Sequence, residues 1–425
     1  MAMGPTGTGR VTGAAVAGAA TLAPFVFALF FLFGGITSLN DVLIPKLKDL
    51  FTLTTAQAML TQSAFFAAYF IVSFPAGLLV ARIGYLRAAV VGLGLMAAGC
   101  LLFIPAAQAA AFGPFLFALF VLAAGITVVQ VVANPLISLL GDPATASSRL
   151  TFAQAFNSLG TTIFPLVGAS IILGSLQTVD PATLAGAALD AYRAAETQTI
   201  VRTYLVLAAA IAVVAVVVWT ARNRLQAGTD EAAGFGAALG LLRRPRFAFG
   251  TLGIFLYVGA EVAIGSLIVL YLERADTLAL GAEAAGQHVA LYWGGAMVGR
   301  FVGAVVLRLV PPPVVLATAA GAAIALLALS ANSVGVVSGY SLLGVGLFNS
   351  IMFPTIFSLA SEGLGKRSAE GSGIICMAIV GGAIVPLLTG AVADGTTLRL
   401  ALAVPALCYA GILGFALFAR RPLAG

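Results

Sequence analysis

Two carboxylates stand where a bilayer would make them expensive. Asp41 and Glu261 lie well inside apolar runs, and an acid near a membrane centre costs about 2.5 to 3.5 kcal/mol on insertion scales unless it is neutralised, paired or hydrated. Burial favours the neutral acid, so a group of this kind can hold and release a proton near physiological pH. That chemistry makes Asp41 and Glu261 candidates for coupling to a cation. A buried ion pair that merely fixes packing is the competing reading, and Arg300 offers Glu261 a partner at comparable depth.

A second set of polar residues carries no charge. Asn40, Gln62, Gln130, Asn134, Gln154, Asn157 and Asn349 all fall in apolar runs. An amide both donates and accepts, which suits hydroxyl groups that do both. Gln130 and Asn134 are four apart and Gln154 and Asn157 three apart, so each pair shares a helix face. Trp293 could lay its ring on the apolar face of a pyranose. These residues, with Glu261, form a candidate substrate site for a neutral polyhydroxylated ligand such as a monosaccharide. The alternative for any of the amides is helix glue.

Other chemistries are poorly served. His288 is the only histidine and lies at the edge of a span, so neither a Ser/His/Asp set nor a structural zinc site is expected. Cys100, Cys376 and Cys408 are odd in number and lie within apolar runs, a poor disulfide set. No catalytic residue, metal ligand or cofactor is expected, and the chain reads as a non-enzyme. Its net charge of +6 follows from loop topology, which leaves nucleic-acid binding unneeded.

The elements that must position these residues are helices. Of the 425 residues 61% are hydrophobic and 8% charged, against roughly a quarter charged in soluble domains. The apolar runs are continuous and too long for barrel strands. They predict an all-α membrane protein with spans near 22–48, 57–82, 86–107, 112–140, 149–176, 201–221, 247–272, 288–309, 313–331, 335–361, 369–393 and 398–419. Residues 1–21 are expected to be a disordered tail before an uncleaved first span. Residues 22–221 and 247–425 are then two six-helix bundles, joined by a linker at 222–246. Counting positive charge places this linker, the Arg82/Arg87 turn, the Lys366/Arg367 turn and Arg420/Arg421 in the cytoplasm. Both termini are expected there, in a multi-pass protein of the inner membrane.

The halves look like repeats of each other. Gln130 precedes Pro135 by five residues as Asn349 precedes Pro354, at an offset of about 219 residues. Gly160 precedes Pro165 as Gly381 precedes Pro386, at an offset of about 221. Asp41 maps to within a residue of Glu261. A two-bundle carrier with a central site follows from this order.

Longer motifs carry a family resemblance. FNSIMFPTIFSLASEGLG from Phe348 and GITVVQVVANP from Gly125 resemble the fucose:proton symporter family of the major facilitator superfamily, specifically its glucose/galactose branch. SLNDVLIPKLK from Ser38, FAQAFNSLGTTIFP from Phe152, YVGAEVAIGS from Tyr257 and YWGGAMVGRFVG from Tyr292 support it, over residues 25 to 395. The resemblance implies the twelve-helix major facilitator fold, alternating access, a monosaccharide site between the bundles and a proton-coupling role for Asp41. Fucose symporters look to have a glutamate where this chain has Gln130, so one protonatable group is missing. GLLVARIGYLR from Gly77 resembles the superfamily's signature between helices 2 and 3, with Ala81 in its usual acidic position. The latch at that end of helix 2 is therefore expected to be weaker or made by other residues. The chain reads as a monomeric importer of a glucose/galactose-type hexose, proton-coupled through Asp41. Sodium coupling, an uncoupled sugar carrier and, more distantly, a drug or metabolite exporter are the alternatives.

Overall fold

A computed structural model describes the backbone of residues 19–50, 55–109, 112–172, 186–223 and 235–421. The side chains of residues 39–59 are outside the described set. Six long helices come first: α1 (Ala19–Leu50), α2 (Thr55–Ile83), α3 (Tyr85–Ala109), α4 (Phe112–Leu139), α5 (Ala146–Ile172) and α6 (Ala187–Thr220). After a short helix at Phe235–Leu239 come α7 (Pro245–Glu273), α8 (Ala282–Leu309) and α9 (Pro312–Asn332). The last three are α10 (Gly335–Ser361), α11 (Gly365–Gly395) and α12 (Leu398–Ala419). Ten of these twelve hold stretches long and apolar enough to cross a membrane among the described residues.

Sequence and physics agree on why these segments are helical. In a bilayer the backbone has no water to bond to, so each span must satisfy its own N–H and C=O groups. Proline is the first residue of α7 and of α9, where a missing N–H costs nothing. The tight turn between α2 and α3 uses Gly84 at φ +84°, a conformation that side chains resist. Apolar side chains also point outward: Leu309 is 80% exposed and Leu387 74%. Water would penalise such a surface and lipid does not, and the chain is a multi-pass membrane protein.

Boundaries differ from expectation in two kinds of place. Helix α6 begins at Ala187 and α8 at Ala282, earlier than the expected 201 and 288. Their first turns carry polar residues that periodicity in an apolar scale leaves out. Three late spans are broken, α10 into Gly335–Asn349 and Met352–Ser361, α11 into Ser368–Met377 and Gly381–Gly395, and α12 into Leu398–Ala401 and Ala403–Ala419. Pro354 accounts for the first break. It cannot donate to the carbonyl of Ser350 four residues back, and Arg300 Nε donates to that oxygen instead at 3.4 Å. In α4 the proline is accommodated without a break. Pro135 frees the Val131 carbonyl, which accepts from Ser372 Oγ of α11 at 2.8 Å.

Within residues 19–220, α3 packs on α4 and α6, α1 on α5, and α2 on α4; within 245–419, α9 packs on α12, α7 on α11, and α10 on α8 and α9. Contacts between the two sets gather where the α2–α3, α4–α5, α8–α9 and α10–α11 turns lie, here termed the linker end. At this end the first piece of α11 lies on α2 and α4, and α5 lies on α8 and the second piece of α10. Ser148 Oγ donates to the Ala304 carbonyl at 2.6 Å, and Arg308 Nε donates to Ser148 Oγ at 3.3 Å. A Cβ on Gly77 would sit 2.9 Å from the Ala369 carbonyl oxygen and 3.2 Å from Gly373 Cα. Glycine is what lets α2 and α11 approach this closely. The expected substitute for the missing acid at Ala81 is thus backbone proximity here, together with the Ser372 bond.

Candidate functional site

A cavity of about 220 Å³ lies between the two sets of helices, above the closed linker end. Its size suits a single small ligand, since drug-sized pockets run from roughly 300 to 1,000 Å³. One wall comes from α1, α2, α4 and α5 through Phe33, Thr37, Phe65, Phe66, Tyr69, Gln130, Gln154, Asn157 and Thr161. Tyr257 and Glu261 of α7, Arg300 of α8, Phe353 of α10 and Ile379 of α11 form the other. Polar groups converge from both sides onto a lining that is otherwise aromatic and aliphatic.

On the first wall, Tyr69 Oη donates to Gln130 Oε1 at 2.7 Å. This bond orients the Gln130 amide, leaving its NH₂ to donate elsewhere. Gln154 and Asn157 reach the cavity together, as their spacing on α5 predicts. Asn157 Nδ2 also donates to the Phe30 carbonyl at 3.3 Å, which ties α5 to α1. Thus Asn157 serves packing as well as the cavity.

On the opposite wall, Tyr257 Oη donates to Glu261 Oε1 at 2.7 Å. The two residues are one helical turn apart on α7, so the geometry is local. Arg300 lines the same cavity but is engaged elsewhere. Its Nη1 bonds Ser158 Oγ and, at 3.4 Å, the Gln154 carbonyl, both on α5. No Glu261–Arg300 ion pair forms among the described residues. The buried-pair reading of Glu261 is not what the geometry shows. A carboxylate and a guanidinium in one small cavity leave little net charge to hold an ion, and they suit a neutral ligand rich in hydroxyl groups.

Four residues expected at the site, Trp293, Asn349, Asn134 and Gln62, do not line the cavity. Trp293 is 46% exposed and meets Tyr292 edge-on at 5.1 Å; it stands two turns from Arg300 on the same face of α8 with its ring beside Gly265 of α7, so it lies near the cavity without lining it. Asn349 is fully buried, donating to Tyr292 Oη and accepting from Tyr409 Oη, each at 2.7 Å. Its hydrogen bonds are spent inside the second set of helices. Asn134 is buried one turn below Gln130, toward the linker end. The side chains of Asn40 and Asp41 lie outside the described residues, on the backbone of α1. Gln62 is exposed and apart from the cavity.

Sequence reading missed Tyr69 and Tyr257. Both hydroxyls orient a polar partner that it had found, and the signal was available for Tyr257, four residues before Glu261. For Tyr69 it lay in the repeat: Tyr69 and Tyr292 fall on the corresponding second helix of each half, at an offset within about one helical turn of that between Gln130 and Asn349. Each half therefore carries a tyrosine–amide pair, one facing the cavity and one sealed behind it.

Comparison with known proteins places this geometry. Residues 25–386 match the family model described as Major Facilitator Superfamily. The glucose/galactose transporter of Brucella abortus (biovar 1, strain 9-941) is 48% identical over 394 residues, covering 92% of each chain. The L-fucose-proton symporter of Escherichia coli (strain K12) is 36% identical over 405 residues, covering 92% of this chain and 91% of its own. A crystal structure of the transporter FucP in the outward conformation superposes with a TM-score of 0.87 at 33% identity, covering 94% of this chain and 99% of the other.

Proposed function

We propose that this chain, which belongs to the Major Facilitator Superfamily, is a sugar symporter that imports a glucose/galactose-type hexose with a proton by alternating access. The observation that carries the reading is the cavity itself. Amides of Gln130, Gln154 and Asn157 face the Glu261 carboxylate across a space walled by Phe33, Phe65, Phe66 and Phe353. Polar groups can bond equatorial hydroxyls while ring faces cover the apolar C–H surface of the sugar. The names of the two relatives, a glucose/galactose transporter and an L-fucose-proton symporter, point to the same ligand class and to proton coupling.

In this reading residues 22–221 and 247–425 are the units that rock about the site, with 222–246 as the tether. Asp41 carries the coupling proton, and Glu261 accepts sugar hydroxyls or shares that proton. One chain supplies both walls, so a monomer suffices. The exposed Arg82, Arg87, Arg243, Arg244, Lys366, Arg420 and Arg421 all belong to the linker end, which supports a cytoplasmic location for that end and for both termini in an inner membrane. The state described is then outward-facing.

Counterflow and uphill uptake of labelled glucose and galactose in proteoliposomes, with pH and sodium varied independently, test the whole reading. Accumulation driven by an inward proton gradient is the expected result. Accumulation that follows sodium alone would overturn proton coupling, and absence of hexose counterflow would overturn the sugar assignment.

A further inference from the structure

One helical turn below the cavity, two polar side chains are buried without partners. Asn134 is 0% exposed, and neither its Nδ2 nor its Oδ1 has a hydrogen bond; Ser73 is 0% exposed, and its Oγ is likewise unbonded. The contrast with neighbouring hydroxyls is sharp. Thr127 and Ser138 in the same helix as Asn134 bond back to carbonyls four residues earlier, at 2.8 and 3.1 Å. Ser73 and Asn134 do not use that local outlet.

Their positions repeat those of the cavity. Ser73 follows Tyr69 by four residues and Asn134 follows Gln130 by four, so each lies on the same helix face about 6 Å further toward the linker end. Tyr69 and Gln130 are bonded to each other in the cavity wall. What covers the lower pair is the first piece of α11. Gly373 approaches the Ser73 carbonyl, where an added Cβ would lie at 2.6 Å. The thiol of Cys376 lies against the Asn134 amide; sulfur is a weak partner, and the contact falls short of hydrogen-bond geometry, so the amide is left far from satisfied.

Unpaired polar groups are costly in a closed interface and cease to be so once the interface opens. We propose that Ser73 and Asn134 form a second sugar-binding subsite, capped by α11 in the state described and exposed when α11 withdraws from α2 and α4. The inference rests on the sugar-transport reading and extends it. A hexose bound to Gln130 would pass down one turn to Asn134 and Ser73, which offer it a donor, an acceptor and a hydroxyl on its way to the linker side. The unpaired amide also makes the closed linker end less stable than a purely apolar one.

The test separates the two faces of the transporter. Right-side-out and inside-out vesicles carrying the full chain, with labelled glucose or galactose in exchange, give half-saturation at each face; protease cleavage within 222–246 marks the linker face. Asn134→Leu should raise half-saturation at the linker face about fivefold or more, the low end for one lost hydrogen bond, and change the far face by less than about twofold. The same variant without sugar should gain thermal stability, where a helix-gluing amide would lose it. Ser73→Ala, a substitution that folds readily, should shift the linker face in the same direction by a smaller factor and decides the matter if Asn134→Leu does not accumulate. Equal weakening at both faces, or an unchanged linker face in the folded variants, overturns the subsite while leaving sugar transport intact. A wild-type chain that exchanges neither hexose overturns both readings.

Discussion

Glu261 is the residue on which the two sequence-level readings differed most. A structural ion pair requires Arg300 within bonding distance, but Arg300 is bonded across the cavity to Ser158 and to the Gln154 carbonyl of α5. Glu261 is held by Tyr257. Glu261→Gln should therefore fold as well as the parent and lose hexose affinity by about fivefold to a hundredfold, the equivalent of roughly 1 to 3 kcal/mol for a buried hydrogen bond. Combining it with Arg300→Ala should not restore stability or binding; thermal melts and binding assays of the singles and the double check this. At Asp41, proton release is the proposed role. Asp41→Asn mimics the protonated acid but cannot give the proton up, so uphill uptake should vanish while counterflow partly survives, as measured in the same vesicles.

At the scale of elements, helix spacing told which amides share a face but not which way the face turns. The i,i+3 pair on α5 does enter the cavity. The i,i+4 pair on α4 splits, because the cavity ends between Gln130 and Asn134 and α11 covers the lower residue. Asn349 was legible as a repeat partner of Gln130, but two tyrosines from other helices saturate it. Contacts of that kind depend on tertiary neighbours that spacing does not encode. The helix inventory and the order of the spans were legible because lipid forces long apolar helices. The breaks in α11 and α12 were not. Two variants exploit this difference. Gln154→Ala should weaken hexose binding with little change in melting temperature, whereas Asn349→Leu strands the buried Tyr409 hydroxyl, while Tyr292 keeps its 3.4 Å bond to the Glu261 carbonyl, and should cost roughly 1 to 3 kcal/mol of stability. Chemical denaturation in detergent, read beside binding, distinguishes them.

For the whole molecule the question is what holds the linker end shut. No acid stands at Ala81, and the described contacts there include the Ser148 and Ser372 hydroxyl bonds to carbonyls, the Arg308 bond to Ser148 Oγ, and glycine-permitted backbone proximity at Gly77 and Gly373. The hydroxyl bonds are each worth only about 0.5 to 1.5 kcal/mol net, so Ser148→Ala should shift the balance of states by roughly two- to tenfold. Backbone proximity is less forgiving. Valine at Gly77 would press on the Ala369 carbonyl and on Gly373 Cα, neither of which is the end of a flexible side chain, so the closed linker end is penalised while each bundle keeps its own packing. If the far-side-open state falls to about one part in a hundred, its apparent affinity for sugar drops by about the same factor. Gly77→Val should thus lose most hexose binding at the far face, become more reactive to a permeant thiol reagent at Cys376 behind the parted interface, and keep a melting transition close to the parent's. Wild-type affinity at the far face of a folded Gly77→Val protein would show that the α2–α11 contact does not hold the linker end closed.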